Sequence, residues 1–313
     1  MADDHWERTV LEQLARDALD ERRRARRWGI LFRSLAVGML LIVLLGWLVL
    51  IGARERVCLE KCTALVEVRG ELDSAGRASA ERVNAGLRAA FKNSGTKGVV
   101  VRINSPGGSP VQAGQIYDEM RRLRSTHPDT PLYAVVEEIA ASGGYYVAAA
   151  ADKIYVDKAS IVGSIGVIME GFGFTGAMEK VGVERRVITA GETKGFLDQF
   201  EPVDPRQRAY VQGMLDDIHQ QFITAVKNGR GARLKEEPGM FSGLVWNGKR
   251  AIDLGLVDGL GSLDYVAREV VKAEEVVDFT PEDNIAERVA RRFGATLGGQ
   301  IRMALREFWG PLR

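Results

Sequence analysis

The sequence predicts an α/β protein with largely parallel strands, preceded by one membrane-spanning helix. Three observations carry this prediction. Apolar, β-branched runs alternate with segments of helical periodicity from about residue 64 to residue 280. Two of the strand-to-helix junctions hold paired glycines, at Gly107-Gly108 and Gly143-Gly144. Ahead of them, Ser34 to Ala53 is an uninterrupted uncharged and mainly apolar stretch, long enough to cross a bilayer core as a helix.

Composition bounds the function. The chain has 313 residues, 46% of them hydrophobic, enough for a proper core, and its net charge of +1 implies no general affinity for nucleic acid. Cys58 and Cys62 are the two cysteines; they exclude a four-cysteine zinc set and are compatible with a local disulfide and with two idle thiols alike. His5, His127 and His219 stand far apart, in no metal-binding spacing, so a histidine-based triad is poorly supported and no metal or cofactor is expected.

The elements follow in order. Residues 1–27 are charged and helix-prone and end in Arg22, Arg23, Arg24, Arg26 and Arg27; this excess of arginine before the apolar stretch places the N-terminus in the cytoplasm and everything after Ala53 outside. Trp28 and Trp47 suit the membrane interfaces. A cleaved signal peptide is disfavoured by the long charged preface and the length of the apolar core. Thr63–Gly70 reads as a strand, Ala80–Lys92 as a helix and Gly98–Asn104 as a second strand running into the turn Ser105-Pro106-Gly107-Gly108-Ser109, with a helix over Val111–Arg124. Leu132–Val136 and Lys153–Val156 are further strands, and glycines interrupt the apolar run Ile161–Ile168. Met178–Val181 ends a helix, Glu184–Ala190 reads as a strand leading to Lys194, and Pro205–Lys227 as a long amphipathic helix. The segment from Asn284 is basic and partly amphipathic, a packing or assembly helix by default.

Ser142 stands where an apolar strand gives way to a helix-prone alanine-rich run. A serine at such a corner faces unpaired helix N–H groups, which favour negative charge and would stabilise an oxyanion formed beside it. That makes Ser142 a candidate nucleophile. Taken alone, the same segment reads as a helix N-cap followed by a turn, and Lys194 taken alone reads as a solvated surface lysine.

The ordered set Asn104-Ser105-Pro106-Gly107-Gly108, Ala141-Ser142-Gly143-Gly144-Tyr145-Tyr146, Gly163-Ser164-Ile165-Gly166, Ala190-Gly191-Glu192-Thr193-Lys194 and Leu254-Gly255-Leu256-Val257-Asp258 resembles the signal peptide peptidase A family, from about Leu65 to Asp264. The resemblance implies a Clp-protease/crotonase-like fold of stacked β-β-α units and a serine–lysine dyad. Ser142 is then the nucleophile, Lys194 the general base and Ser164 the hydroxyl that orients the lysine, with oxyanion donors among Gly107, Gly108 and Gly143. A lysine accepts a proton only in its neutral form, so Lys194 is expected to lie in a dry, apolar site. One departure from the family pattern is Thr193, where a tyrosine often precedes the lysine.

On this reading residues 1–33 are a cytoplasmic segment, 34–53 the anchor, 54–63 a juxtamembrane linker, 64–280 a periplasmic protease domain and 281–313 a basic amphipathic segment. The resemblance implies a bacterial inner-membrane endopeptidase acting on remnant signal peptides and misfolded envelope polypeptides, assembled as a homo-oligomeric ring whose sites draw serine and lysine from neighbouring chains. Three other readings are a protease of stomatin-like membrane proteins, a crotonase-like acyl-CoA enzyme, which an outward-facing anchor disfavours, and a non-catalytic scaffold of the same fold, which intact Ser142, Ser164 and Lys194 disfavour.

Overall fold

The computed structural model describes residues 26–46, 58 and 60–281. The chain forms two compact units, residues 1–56 and 57–313. In the first, helix α1 (Arg26–Gly46) is long and apolar enough to cross a membrane. It begins ahead of the expected start at Ser34; the expected end at Ala53, the Arg22–Arg24 cluster, Trp47 and the segment from Asn284 lie outside the described residues.

The second unit is built on a parallel sheet. Strand β1 (Cys62–Arg69) pairs with β2 (Thr96–Ser105), β2 pairs with β3 (Leu132–Ala141), and β8 (Val276–Asp278) adds to the far side of β1. The three central strands are buried nearly end to end, as parallel strands covered on both faces must be.

Between these strands the chain crosses over through helices α2 (Ala80–Lys92) and α3 (Pro110–Thr126). Val83, Leu87, Ala90 and Phe91 bury one face of α2 at helical spacing. Pro110 opens α3 at a position where its missing N–H costs nothing, and the Ser109 hydroxyl accepts from Gln112 N–H at 3.4 Å. The main core lies between these helices and the sheet. A smaller cluster of Val100, Val135, Tyr155 and Val266 fills the opposite face under the π-helical turn Val266–Val271.

Strand β3 divides its partners. Tyr133–Val136 pair with β4 (Lys153–Val156), whereas Ile139–Ala141 pair with β5 (Ile161–Gly163). At the division the buried Ser160 hydroxyl donates to the Glu137 carbonyl. The outer side of β5 carries β6 (Val245–Asn247), antiparallel, and β4 carries β7 (Gly259–Leu260).

Helix α4 (Gly143–Ala148) follows Ser142 directly and is shorter than its alanine content predicts. Ala148, Ala149, Ala150 and Ala151 are buried, and the backbone of Gly229 in helix α6 (Pro205–Arg230) lies so close that a Cβ there would fall 1.9 Å from the Ala149 carbonyl oxygen. Those alanines serve close packing more than helix length. At the end of α6, Arg230 is buried and paired with Asp258 at 2.7 Å, and its Nε donates to the Gly255 carbonyl at 2.9 Å. This locks α6 to the Leu254–Asp258 motif, which lies just past helix α7 (Gly248–Asp253).

A short helix, α5 (Thr175–Val181), matches the expected helix end at Val181. The strand expected over Glu184–Ala190 does not form: 183–190 are exposed and carry no regular structure. A strand needs hydrogen-bonding neighbours, and no strand of the described chain pairs with this stretch.

Candidate active site

The turn after β2, the corner after β3 and the end of β5 lie together, because parallel strands all deliver their C-terminal ends to one side of the sheet. Ser142 is at the corner with φ 51° and ψ −125°, a conformation that L-residues rarely adopt. Its N–H donates to the Gly163 carbonyl at 2.8 Å, and its own carbonyl accepts from Tyr145 and Tyr146 at the start of α4. The side chain is half-buried.

Gly107 and Gly108 sit opposite, at φ 110° and 137°. A Cβ on Gly107 would lie 2.7 Å from Ser142 Cβ and 2.9 Å from Gly143 N, so only glycine lets the turn approach the corner this closely. The turn is pinned from outside by Leu72, whose N–H donates to the Gly107 carbonyl and whose carbonyl accepts from Ser109 N–H, both at 2.8 Å. Leu72 also packs its Cδ1 against Gly143.

The three glycine amides are not equivalent. Gly107 N–H donates to the buried Ser105 hydroxyl at 3.2 Å. Gly108 N–H donates to no group among the described residues, and Gly143 occupies the first position of α4, where the helix supplies no acceptor. A Cβ on Gly143 would stand 3.5 Å from Gly108 N, so these two amides are neighbours. An anion beside Ser142 could accept from both.

Ser164 follows β5 and, like Ser142, has φ 51°. Its N–H donates to the Leu244 carbonyl at 2.7 Å, and the next residue, Ile165, accepts from Gly243 N–H and from His219 Nε2, each at 3.1 Å. His219 thus has a partner in the fold itself.

Lys194 is exposed, whereas Ser142 and Ser164 are half-buried. It occupies an exposed turn closed by its N–H to the Gly191 carbonyl at 3.1 Å, not a strand end, and among the described residues no hydrogen bond or ion pair joins it to Ser142 or Ser164. The dry site expected for it is not supplied by this chain's own fold, since 182–196 are exposed throughout. The surrounding stretch is nonetheless folded on itself: Phe174 N–H donates to the Gln199 carbonyl at 2.7 Å, Phe174 and Phe200 rings lie 5.6 Å apart, and Arg185 both caps the Phe200 ring and pairs with Asp198.

Cys58 and Cys62 form a disulfide, which resolves the alternative left by their spacing. Both are buried, and Cys62 N–H donates to the Gly95 carbonyl at 3.1 Å.

Sequence reasoning missed the roles of Leu72, which holds the turn through two backbone hydrogen bonds from far away in sequence, of Ser105, which bonds Gly107 within the turn, and of Ser160, which bonds Glu137 at the strand division. A short strand, then a helix and a turn, is readable in the sequence over Gly243–Asp258 and forms as β6 and α7, but the packing of Trp246 on Gly163 is not.

Residues 64–163 match the Clp protease family model. The chain therefore has a Clp-protease-like fold. Residues 125–277, just under half of the chain, match the model of peptidase family S49. It is 45% identical over 177 residues to a Brucella melitensis protein named Na(+)/H(+) antiporter NhaA, a match covering 56% of this chain and 24% of that protein. It is 29% identical over 217 residues to the chloroplastic serine protease SPPA of Arabidopsis thaliana, covering 68% of this chain and 32% of that one. The chain thus spans a quarter to a third of these relatives. Among solved structures, a membrane-bound stomatin-specific protease aligns with 71% of this chain and 99% of its own, at 12% identity and a TM-score of 0.41.

Proposed function

We propose that this chain is a membrane-anchored serine endopeptidase in which Ser142 attacks the peptide carbonyl, Lys194 takes its proton and Ser164 orients the lysine amine. The observation that carries this reading is the strained φ of Ser142 beside the two unengaged amides of Gly108 and Gly143. Such strain costs roughly 1–3 kcal/mol and persists where the surrounding structure over-determines it, commonly at active sites. Oxyanion stabilisation by two such donors is among the largest single contributions to acyl transfer. In the first half-reaction the serine oxygen bonds to the carbonyl carbon, the oxyanion rests between Gly108 and Gly143, and the lysine's proton passes to the departing amine. Water activated by the same lysine then releases the acyl group.

The base is proposed to reach the site in an assembly of copies. Lys194 lies in a stretch that leaves the apolar side chains of Ile168, Phe172, Val181, Ile188, Val203 and Tyr210 exposed, which a contact with a neighbouring chain would cover. Burial of this surface against a neighbouring chain would supply the dry environment that the single chain withholds from Lys194. We place residues 34–53 in the bacterial inner membrane with the N-terminus cytoplasmic and the catalytic domain periplasmic; the apolar helix α1 and the disulfide, which persists in oxidising compartments, support this. The proposed substrates are remnant signal peptides and other unfolded apolar segments.

The test is hydrolysis of a synthetic signal peptide by the detergent-solubilised full chain, alongside Ser142→Ala and Lys194→Ala. Cleavage by the wild type, loss in each variant, and recovery when the two variants are mixed support the dyad and its sharing between chains. Full activity in Lys194→Ala would overturn the assignment of the base. A wild type that cuts no peptide would favour the scaffold.

A further inference from the structure

Two serines carry the same strained φ of 51°, and one short antiparallel ladder lies between them and the rest of the surface. Ser142 hangs from it through its N–H to the Gly163 carbonyl at 2.8 Å; Ser164 hangs from it through its N–H to the Leu244 carbonyl at 2.7 Å. The ladder is only three residues long, pairing Ile161, Val162 and Gly163 with Asn247, Trp246 and Val245. Beyond Ser164 the chain leaves the sheet and runs without regular structure to Phe174. Three backbone pairs are a slender support for two strained residues, so a further constraint is required.

Trp246 meets that requirement. A Cβ built on Gly163 would lie 2.6 Å from both Cε3 and Cζ3 of the indole, so the ring lies directly against the Gly163 backbone. Gly163 has φ 108°, and its carbonyl is the one that holds the Ser142 N–H. On its other side the indole is half-buried against the main core, which gives it a firm backing. The ring therefore covers the Gly163 backbone at the end of β5, while Leu244, just ahead of β6, holds the start of the Ser164 segment.

We infer that Trp246 is a positioning residue that sets the spacing of the Ser142 and Ser164 hydroxyls by clamping the Gly163 backbone between them. It touches no reacting atom and acts through Gly163. The catalytic side of this inference rests on the reading of Ser142 as nucleophile; the structural side does not.

The experiment compares wild type, Trp246→Ala and Trp246→Phe as full-length detergent-solubilised chains, by amide hydrogen exchange in peptides spanning residues 139–145 and by steady-state hydrolysis of a synthetic signal peptide. In a folded, assembled Trp246→Ala chain, exchange at Ser142 is expected to quicken roughly five- to tenfold, as for loss of one backbone hydrogen bond. The kcat is expected to fall on the order of 10²-fold with KM within about twofold, as for a displaced catalytic group. Trp246→Phe, which keeps a ring against Gly163, restores most of both. Unchanged Ser142 exchange in a folded Trp246→Ala chain overturns the inference, as does a rise in KM at constant kcat, which would make the indole a substrate contact. If Trp246→Ala does not fold, Trp246→Leu replaces it, and Ser142 exchange that fails to rise in the order Trp, Phe, Leu overturns the inference. A wild type that hydrolyses nothing sinks the protease reading, while the exchange comparison still decides whether Trp246 clamps the corner.

Discussion

The amide of Ser142 donates to the carbonyl of Gly163 at 2.8 Å, joining the corner after β3 to the end of β5. This bond anchors a residue at φ 51°. Ser142→Gly removes the Cβ that makes this conformation costly, so it is expected to stabilise the domain by about 1 kcal/mol, raising the thermal midpoint by roughly 2–4 °C, while abolishing hydrolysis. Thermal unfolding beside a peptide assay checks both halves; an unchanged or lower midpoint would remove the case for stored strain.

Gly108 holds its amide free by standing against Leu72. A Cβ there would fall 2.4 Å from the Leu72 carbonyl oxygen, at a φ of 137° that a side chain resists. Gly108→Ala is therefore expected to shift the turn and lower kcat on the order of 10²- to 10³-fold, the usual cost of one oxyanion donor. Gly114 in α3 has open space around it, and Gly114→Ala should leave activity intact and stabilise by up to about 1 kcal/mol. Equal losses in the two variants would argue against a special role for Gly108.

Asp258 joins three parts of the fold: its carboxylate pairs with Arg230 at 2.7 Å and Arg233 at 3.1 Å and accepts from Ile154 N–H at 2.7 Å. Burial by itself raises its pKa, but the Arg230 hydrogen bond and charge, the Ile154 N–H and Arg233 outweigh burial and hold the carboxyl below its ordinary range. A depressed carboxylate contributes stability that is fully present above its unfolded value, about 3.9, and is lost as pH falls through the lower folded value. Asp258→Ala strands the buried Arg230 charge and is expected to cost about 3–5 kcal/mol at neutral pH. In acid the wild type should lose this advantage, so the gap between wild-type and Asp258→Ala unfolding midpoints narrows. A gap independent of pH would count against a linked carboxylate.

The Cys58–Cys62 disulfide closes a short loop at the start of β1. On the chain-entropy account a loop this small contributes about 2 kcal/mol. Replacing both cysteines with serine should lower the unfolding midpoint by that measure without affecting the peptide assay, and a reductant should do the same to the wild type alone. A reductant effect of equal size on the double variant would point elsewhere.

The main elements were legible because each follows from local pattern. Ala80–Lys92 is a helix over the span its apolar spacing predicts, and the strands before Gly107 and Ser142 stand where β-branched runs meet paired glycines. Strand β3 reaches Ala141, further than Val136, since Glu137 and Glu138 interrupt the apolar run while backbone pairing with β5 carries the strand on. The strand read over Glu184–Ala190 failed for the converse reason: its pattern suits a strand, but the described chain offers it no partner.

For the site, residue types and their order along the chain pointed to Ser142, Ser164, Lys194 and the glycine turns, because a corner, a hydroxyl and a glycine pair are local features. Which glycine amides remain free, and what holds the two strained serines, depends on the local bond of Ser105 to Gly107 and on Leu72 and Trp246, residues far away in sequence whose contacts exist only once the strands come together. The exposure of Lys194 is of the same kind. Its chemistry follows from its residue type, whereas its solvation is a property of what packs over it, and in the single chain water covers it.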